Sequence, residues 1–271
     1  MSYEKQWLDL MKGEDGSFSQ RVLEDKCEKA FWENYLKNIG NTEGDAYAEL
    51  IRAEVLRLLG DKAYASILEV GPGWGNYTFS LARRCECLTC LDMSPDILDF
   101  IGEKAKAQGL FNIERIEKKL EDFEQTAVFD VVFAYNCFYR IRAIKKALKK
   151  IDAMAKDICI IGMNSQLDRP SFIDFEHKLG LKVRRSRLSH ELLAGILGEM
   201  GIEAQTSLIR MPRQYSFQTL DEAVAFEKGC ILSPIEDEDA IRSVVAAHYL
   251  PRGQGFTCQH EMVAGLVYWK K

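Results

Sequence analysis

The chain has 271 residues, 47% of them hydrophobic and 28% charged, with a formal net charge of −5. That length and apolar fraction suit one large domain or a domain with a sizeable insert, and the acidic balance argues against nucleic acid, which needs a basic face. No apolar signal segment opens the sequence and no run reaches the roughly eighteen apolar residues of a membrane span, so a cytoplasmic protein that neither crosses nor binds a membrane is expected.

The first sixty residues read as helices. Phe31, Trp32, Tyr35 and Leu36 recur at helical spacing, and Tyr47 to Leu59 carries a second apolar stripe that Gly60 stops. From Ala65 the pattern alternates: strand 66–70, helix 75–84, strand 87–91, helix 95–108, strand 112–116, strand 128–134, helix 142–154, strand 157–162. Strands separated by such helices imply βαβ crossovers and a parallel sheet, which binds ligands beyond the carboxyl ends of its strands. Asn164 to Arg187 is polar, holds the basic cluster Lys182 to Arg187, and reads as a connection or a small helical insert. Beyond it, Leu188 to Met200 predicts a helix, Ile202 to Met211 an extended segment, Leu220 to Phe226 and Asp237 to Tyr249 helices, and Cys258 to Trp269 a strand.

The chemistry begins at residues 67–75, Ile-Leu-Glu-Val-Gly-Pro-Gly-Trp-Gly, an apolar strand that ends in Glu69 and runs into glycines at 71, 73 and 75. Glycine lets the backbone turn without a Cβ and lets a bulky ligand lie on bare main chain. A dinucleotide fingerprint would place its third glycine where Asn76 stands. A second apolar strand ends in Asp92, where a carboxylate matches a ribose diol with two hydrogen bonds. The Glu-x-Gly-x-Gly-x-Gly form resembles motif I of the class I S-adenosylmethionine-dependent methyltransferases. Asp92-Met93-Ser94-Pro95 is similar to that family's second motif, Leu120-Glu121-Asp122-Phe123 to its adenine-edge segment, and Phe129 to Asn136 to its fourth strand, so the likeness covers about residues 66–163.

The resemblance implies an α/β Rossmann-like methyltransferase fold: a mostly parallel seven-stranded sheet with helices on both faces, an N-terminal helical cap over residues 1–60, and a methyltransferase domain over 61–271 with a helical insertion at about 212–255 before the last strand. It implies S-adenosyl-L-methionine as cofactor and S-adenosyl-L-homocysteine as product. Glu69 is expected to reach the methionine ammonium, Gly71, Gly73 and Gly75 to contact the cofactor, Asp92 to hold the ribose, Met93 to flank the adenine, and Glu121 or Asp122 to take the adenine amino group. Asn136 and Tyr139 lie where the methyl should emerge and are the catalytic candidates, Asn136 being also a cofactor contact. The cap would close over the donor, although an aromatic stripe is also what a packed amphipathic helix shows. Asp130 reads as a holder of local backbone.

Other residues carry less. Cys85, Cys87 and Cys90 alternate faces on a strand and so fit packing better than a shared metal ion, and no metal site is expected. His177, His190, His248 and His260 sit in no motif, and Arg140 and Arg142 fit either an anion on the substrate or a helix-start surface. Ala134-Tyr135-Asn136-Cys137 lacks the prolines that accompany methylation of exocyclic amines in this family. The leading expectation is a methyltransferase acting on a small molecule in a pocket formed by the cap, residues 136–142 and the insertion. A noncatalytic S-adenosylmethionine-binding or partner protein and a nicotinamide-dependent oxidoreductase are the alternatives, and the oligomeric state is open, a homodimer included.

Overall fold

A computed structural model describes residues 2–13, 15–38, 46–124, 128–165, 169–184 and 188–271. The chain falls into two compact units, one built from Met1–Asn164, Leu188–Ile209 and Ala264–Lys271, the other from Ser165–Arg187 and Arg210–Val263.

The first unit opens with helices α1 (Tyr3–Leu10), α2 (Gln20–Leu23), α3 (Asp25–Asn38) and α4 (Ala46–Leu59). On α1, Trp7 is fully buried and donates its indole N–H to the carbonyl of Ile141 at 2.8 Å, anchoring that helix well away in sequence from its own start. The longer α3 carries the residues that meet the glycine loop, Trp32 beside Gly73 and Tyr35 against Trp74.

The alternation then follows: β1 (Tyr64–Val70), α5 (Thr78–Ala82), β2 (Cys85–Asp92), α6 (Pro95–Ala107), β3 (Ile113–Glu117), β4 (Phe129–Tyr135), α7 (Ile144–Met154) and β5 (Ala155–Ser165). Next come α8 (Pro170–Leu179), α9 (His190–Glu199), β6 (Gln205–Phe217), α10 (Leu220–Lys228), α11 (Glu238–His248), β7 (Leu250–Arg252) and β8 (Gly255–Lys270). The strands order as β3-β2-β1-β4-β5-β8-β6, with β7 paired antiparallel to β8. Seven strands lie on that path as expected, and β7 makes the sheet eight-stranded because a turn at Gly253, with φ of 63°, folds three residues back on β8.

β1 is central and parallel to both neighbours, with Val70 opposite Leu91 of β2 and Ala134 of β4. Burial of both faces explains its continuous apolar run: Leu68 and Val70 join the main core with Val132, Ala134, Leu148 and Ile151. The chain order reverses between β1 and β4, so Gly71, Asp92 and Asn136 all leave the sheet at the edge where such folds bind ligands. Asp130 accepts the backbone N–H groups of Ala65 and Ser66 at 2.8 and 3.0 Å and thereby ties the start of β4 to β1.

The helix expected over 75–84 shrinks to Thr78–Ala82. Gly75 has φ of 89°, which no right-handed helix accommodates, so the loop continues to Tyr77.

In the second unit α8 begins with Pro170 in its first turn and stops at Gly180, φ 65°, where the N–H groups of Gly180 and Leu181 bond back to Glu176 and Phe175. The polar connection thus contains a full helix, and its Phe172 and Phe175 pack with Ile241, Val245 and Tyr249. Of the basic cluster, residues 185–187 lie outside the described residues. No helix among the described residues is long and apolar enough to cross a membrane.

Candidate active site

The loop after β1 is bare main chain by necessity. Gly71, Gly73 and Gly75 all have positive φ, at 66°, 56° and 89°. At Gly71 space is also decisive: a Cβ there would stand 2.4 Å from that of Cys137, just beyond β4. The Gly71 N–H donates to the Leu91 carbonyl at 2.9 Å, which carries the β1–β2 pairing one residue into the loop.

Three acids and two thiols lie around this loop. Glu69 is 1% exposed, and burial pushes its carboxyl up to about 7. The Cys90 thiol approaches one of its oxygens, while Oε1 makes no hydrogen bond of ordinary geometry among the described residues. Asp92 accepts the Ser94 N–H at 2.8 Å. Its carboxyl is pushed up to about 6, by burial first and against the Ser94 hydrogen bond, with the charge of Glu28 adding to the rise and Arg140 opposing it. The Cys137 thiol is driven far above its ordinary value by burial and then by Asp92, Glu121 and Glu69. Asp92, Glu121 and Glu69 thus lie within electrostatic reach of the Cys137 thiol.

Glu121 and Asp122 are both exposed, flanked by buried Leu120 and Phe123. The charge of Glu121 reaches Cys137. Asn136 is exposed and is, among the described residues, the one residue other than glycine with positive φ, at 54°; its N–H donates to the Gly162 carbonyl at 2.8 Å. A left-handed asparagine at a strand end is a local strain that marks functional edges.

Tyr139 is committed elsewhere than to a free pocket. Its hydroxyl donates to Glu28 at 2.6 Å, and burial together with the Glu28 charge drives its acidity far down. Glu28, on α3, is 2% exposed and also accepts from Arg21 at 2.7 and 3.1 Å and from the Trp32 indole at 2.9 Å. Burial alone would raise its carboxyl, but the Arg21 and Tyr139 hydrogen bonds and the Arg21 and Arg140 charges outweigh it and hold it below the ordinary range. Arg140 bonds Asp25, the Arg21 carbonyl and the Met93 sulfur, so it ties α2 and α3 to the end of β2. Its guanidinium therefore serves internal partners, and Arg142 lies over the Phe18 ring.

Three residues near the loop carried no specific expectation. Thr78 and Ser94 are fully buried; the Thr78 hydroxyl lies by the Glu69 carboxyl and opposes its rise, and the Ser94 hydroxyl makes no hydrogen bond of ordinary geometry among the described residues. Glu28 had a local signal, standing one helical turn before Trp32, but nothing in the sequence paired it with Tyr139. The histidines take structural places: the His190 ring packs on Gly265, His248 bonds Asp174 at 2.8 Å, and His260 stacks on Tyr215. All eight cysteines are free thiols; Cys90 is buried and Cys85 and Cys87 partly exposed. Among the described residues no group of three or more His, Cys, Asp and Glu side chains is arranged to hold a metal ion.

The arrangement fits an adenosyl cofactor. Bare main chain offers the cradle, Asp92 a half-buried carboxyl for a diol, and the Ser94 hydroxyl a buried polar atom without a hydrogen bond of ordinary geometry among the described residues. The comparisons agree. Residues 67–157 match the family model described as a methyltransferase domain. Among solved structures, a methyltransferase from Bacillus halodurans shares the fold at a TM-score of 0.55 and 14% identity, over 81% of this chain and 98% of that one. The N-methyltransferase NodS of Bradyrhizobium japonicum, crystallised with S-adenosyl-L-homocysteine, does so at 0.51 and 15% identity, over 90% and 97%. No curated protein matches the chain. Residues 67–157 thus match a methyltransferase domain, and the chain shares the α/β fold of these structures.

Proposed function

We propose that the protein transfers a methyl group from S-adenosylmethionine to a small-molecule acceptor by in-line displacement. The observation that carries the reading is the pairing of the Gly71–Gly75 cradle with the half-buried Asp92 carboxyl at the tip of the adjacent strand. S-adenosylmethionine supplies a methyl carbon already activated by its positive sulfur. The protein then has mainly to align the partners, a contribution of about 7 to 11 kcal/mol in well-oriented systems.

Asp92 accepts the ribose hydroxyls and Met93, immobilised by Arg140, walls the adenine. Glu121 or Asp122 takes the adenine amino group, the charge of Glu121 reaching Cys137 beside Gly71. Glu69 meets the methionine ammonium directly or through backbone and water. Asn136 lines the exit of the methyl. Tyr139 holds the helix α3 in place through Glu28 and is a hydrogen-bond donor, its acidity being too low for a base near neutral pH. A small-molecule acceptor fits the net charge of −5, which disfavours nucleic acid.

Calorimetry with S-adenosylmethionine, followed by transfer of a labelled methyl across a metabolite panel, tests the reading. Uptake of the donor with turnover of one acceptor class is expected. Donor uptake with no acceptor turned over would leave the noncatalytic alternative in its place.

A further inference from the structure

We infer that Trp32 distinguishes the charged methyl donor from its neutral product by setting an electron-rich indole beside the sulfonium. The inference rests on the donor reading above and deepens it. Its starting point is Gly73, where a Cβ would find one side chain within 4 Å: the Trp32 ring, with Cη2 at 3.6 Å. Whatever lies on the bare main chain at that glycine lies against the indole.

The ring is held more firmly than a hydrophobic plug requires. Its N–H donates to the Glu28 carboxylate at 2.9 Å, and Glu28 is itself fixed by Arg21 and Tyr139. Phe31 and Tyr35 meet the indole edge-on, at centroid distances of 5.5 and 5.4 Å, and Tyr35 in turn meets Trp74, the residue after Gly73, at 6.1 Å. An indole whose N–H is given to a carboxylate gains electron density over its rings, and tryptophan already attracts cations best among aromatic side chains.

Donor and product differ at a single atom. On transfer, an acceptor lone pair forms the new bond to the methyl carbon, the carbon–sulfur bonding pair stays on sulfur, and the sulfonium becomes a neutral thioether. Its positive charge passes to the acceptor and leaves with the proton that the acceptor loses. An attraction that depends on the sulfur's charge therefore favours donor binding and vanishes at the moment the product must leave. Burial of apolar surface by Trp32 would not have this property, since it serves both molecules nearly equally.

Calorimetry of the full chain with S-adenosylmethionine and with S-adenosylhomocysteine separates the two roles. In Trp32→Leu the donor Kd is expected to rise about three- to thirty-fold while the product Kd changes less than about twofold. Trp32→Phe should fall between, and it carries the test if circular dichroism shows the leucine variant unfolded. Equal losses for both ligands, or no loss for either, would overturn the inference and leave Trp32 a wall. A wild-type protein that binds neither ligand would instead remove the donor reading, and the inference with it.

Discussion

A Cβ placed on Gly71 would stand 2.4 Å from the Cβ of Cys137, and the glycine holds φ at 66°. Two independent constraints thus meet at one residue, a left-handed backbone and a gap narrower than any carbon contact. Gly71→Ala is expected to lower the melting temperature and weaken donor binding at least about tenfold, since a strained non-glycine position costs about 1 to 3 kcal/mol before any clash. Cys137→Ala should not rescue it, because alanine keeps the offending Cβ, whereas Cys137→Gly should restore part of the loss. Wild-type donor affinity in Gly71→Ala would show that the loop yields more easily than this geometry allows.

Asp92 should give donor binding a pH dependence. The carboxyl is pushed up to about 6, and only its ionised form accepts from both ribose hydroxyls. Affinity is therefore expected to be flat above about pH 7 and to fall up to about tenfold per unit below 6. Asp92→Asn, which keeps an acceptor for the Ser94 N–H, should bind about ten- to a hundred-fold more weakly and lose the pH slope. Calorimetry at pH 5, 6 and 8 reads both effects, and a slope unchanged in the variant would assign it to another group.

Glu69 makes the opposite kind of statement, about stability. Its carboxyl titrates near 4.5 when unfolded and about 7 when folded, so the fold prefers the neutral acid. The folded state then binds more protons between these values, and stability is full below about pH 4.5, declines as pH rises, and levels off above 7. Glu69→Gln removes the ionisation and is expected to raise stability by up to about 3 kcal/mol at pH 8 and by little at pH 4, while weakening the donor site. Urea melts at the two pH values check it. Equal effects at both would mean that Glu69 does not titrate in this range.

The second unit depends on a buried ion pair between its two segments. Arg169 donates to Glu227 at 3.0 Å, and Tyr249 donates to the same oxygen at 2.7 Å, with Glu227 fully buried. Arg169→Ala leaves that carboxylate without its countercharge and should cost about 3 to 5 kcal/mol locally. Hydrogen exchange in α8 and α10 should then rise by orders of magnitude. Unaltered protection there would show that the apolar cluster around Phe175 and Val245 holds the unit alone.

Much of the candidate site's local geometry was legible because its demands are local. Positive φ selects glycine at 71, 73 and 75, and an acid at a strand tip declares itself where the apolar run ends, as at Glu69 and Asp92. Even so, the short α5 escaped the pattern, since apolar periodicity continued through residues whose backbone Gly75 had already turned away from a helix. The sequence offered Glu121 and Asp122 without preference, and left Arg140 open between an anion and a helix-start surface, because adjacent acids and an arginine beyond a strand carry no mark of what lies opposite.

By itself the sequence determined the alternation of strands and helices, the glycine loop and the carboxyls at the strand ends, all of which follow from backbone geometry within a few residues. Only the tertiary structure decided that Trp32 lies on Gly73, that Glu28 reaches Tyr139 across 111 positions, and that 165–187 joins 210–263. Contacts between distant segments arise when separate apolar faces are buried together, and that burial constrains volume and polarity without prescribing which side chain meets which.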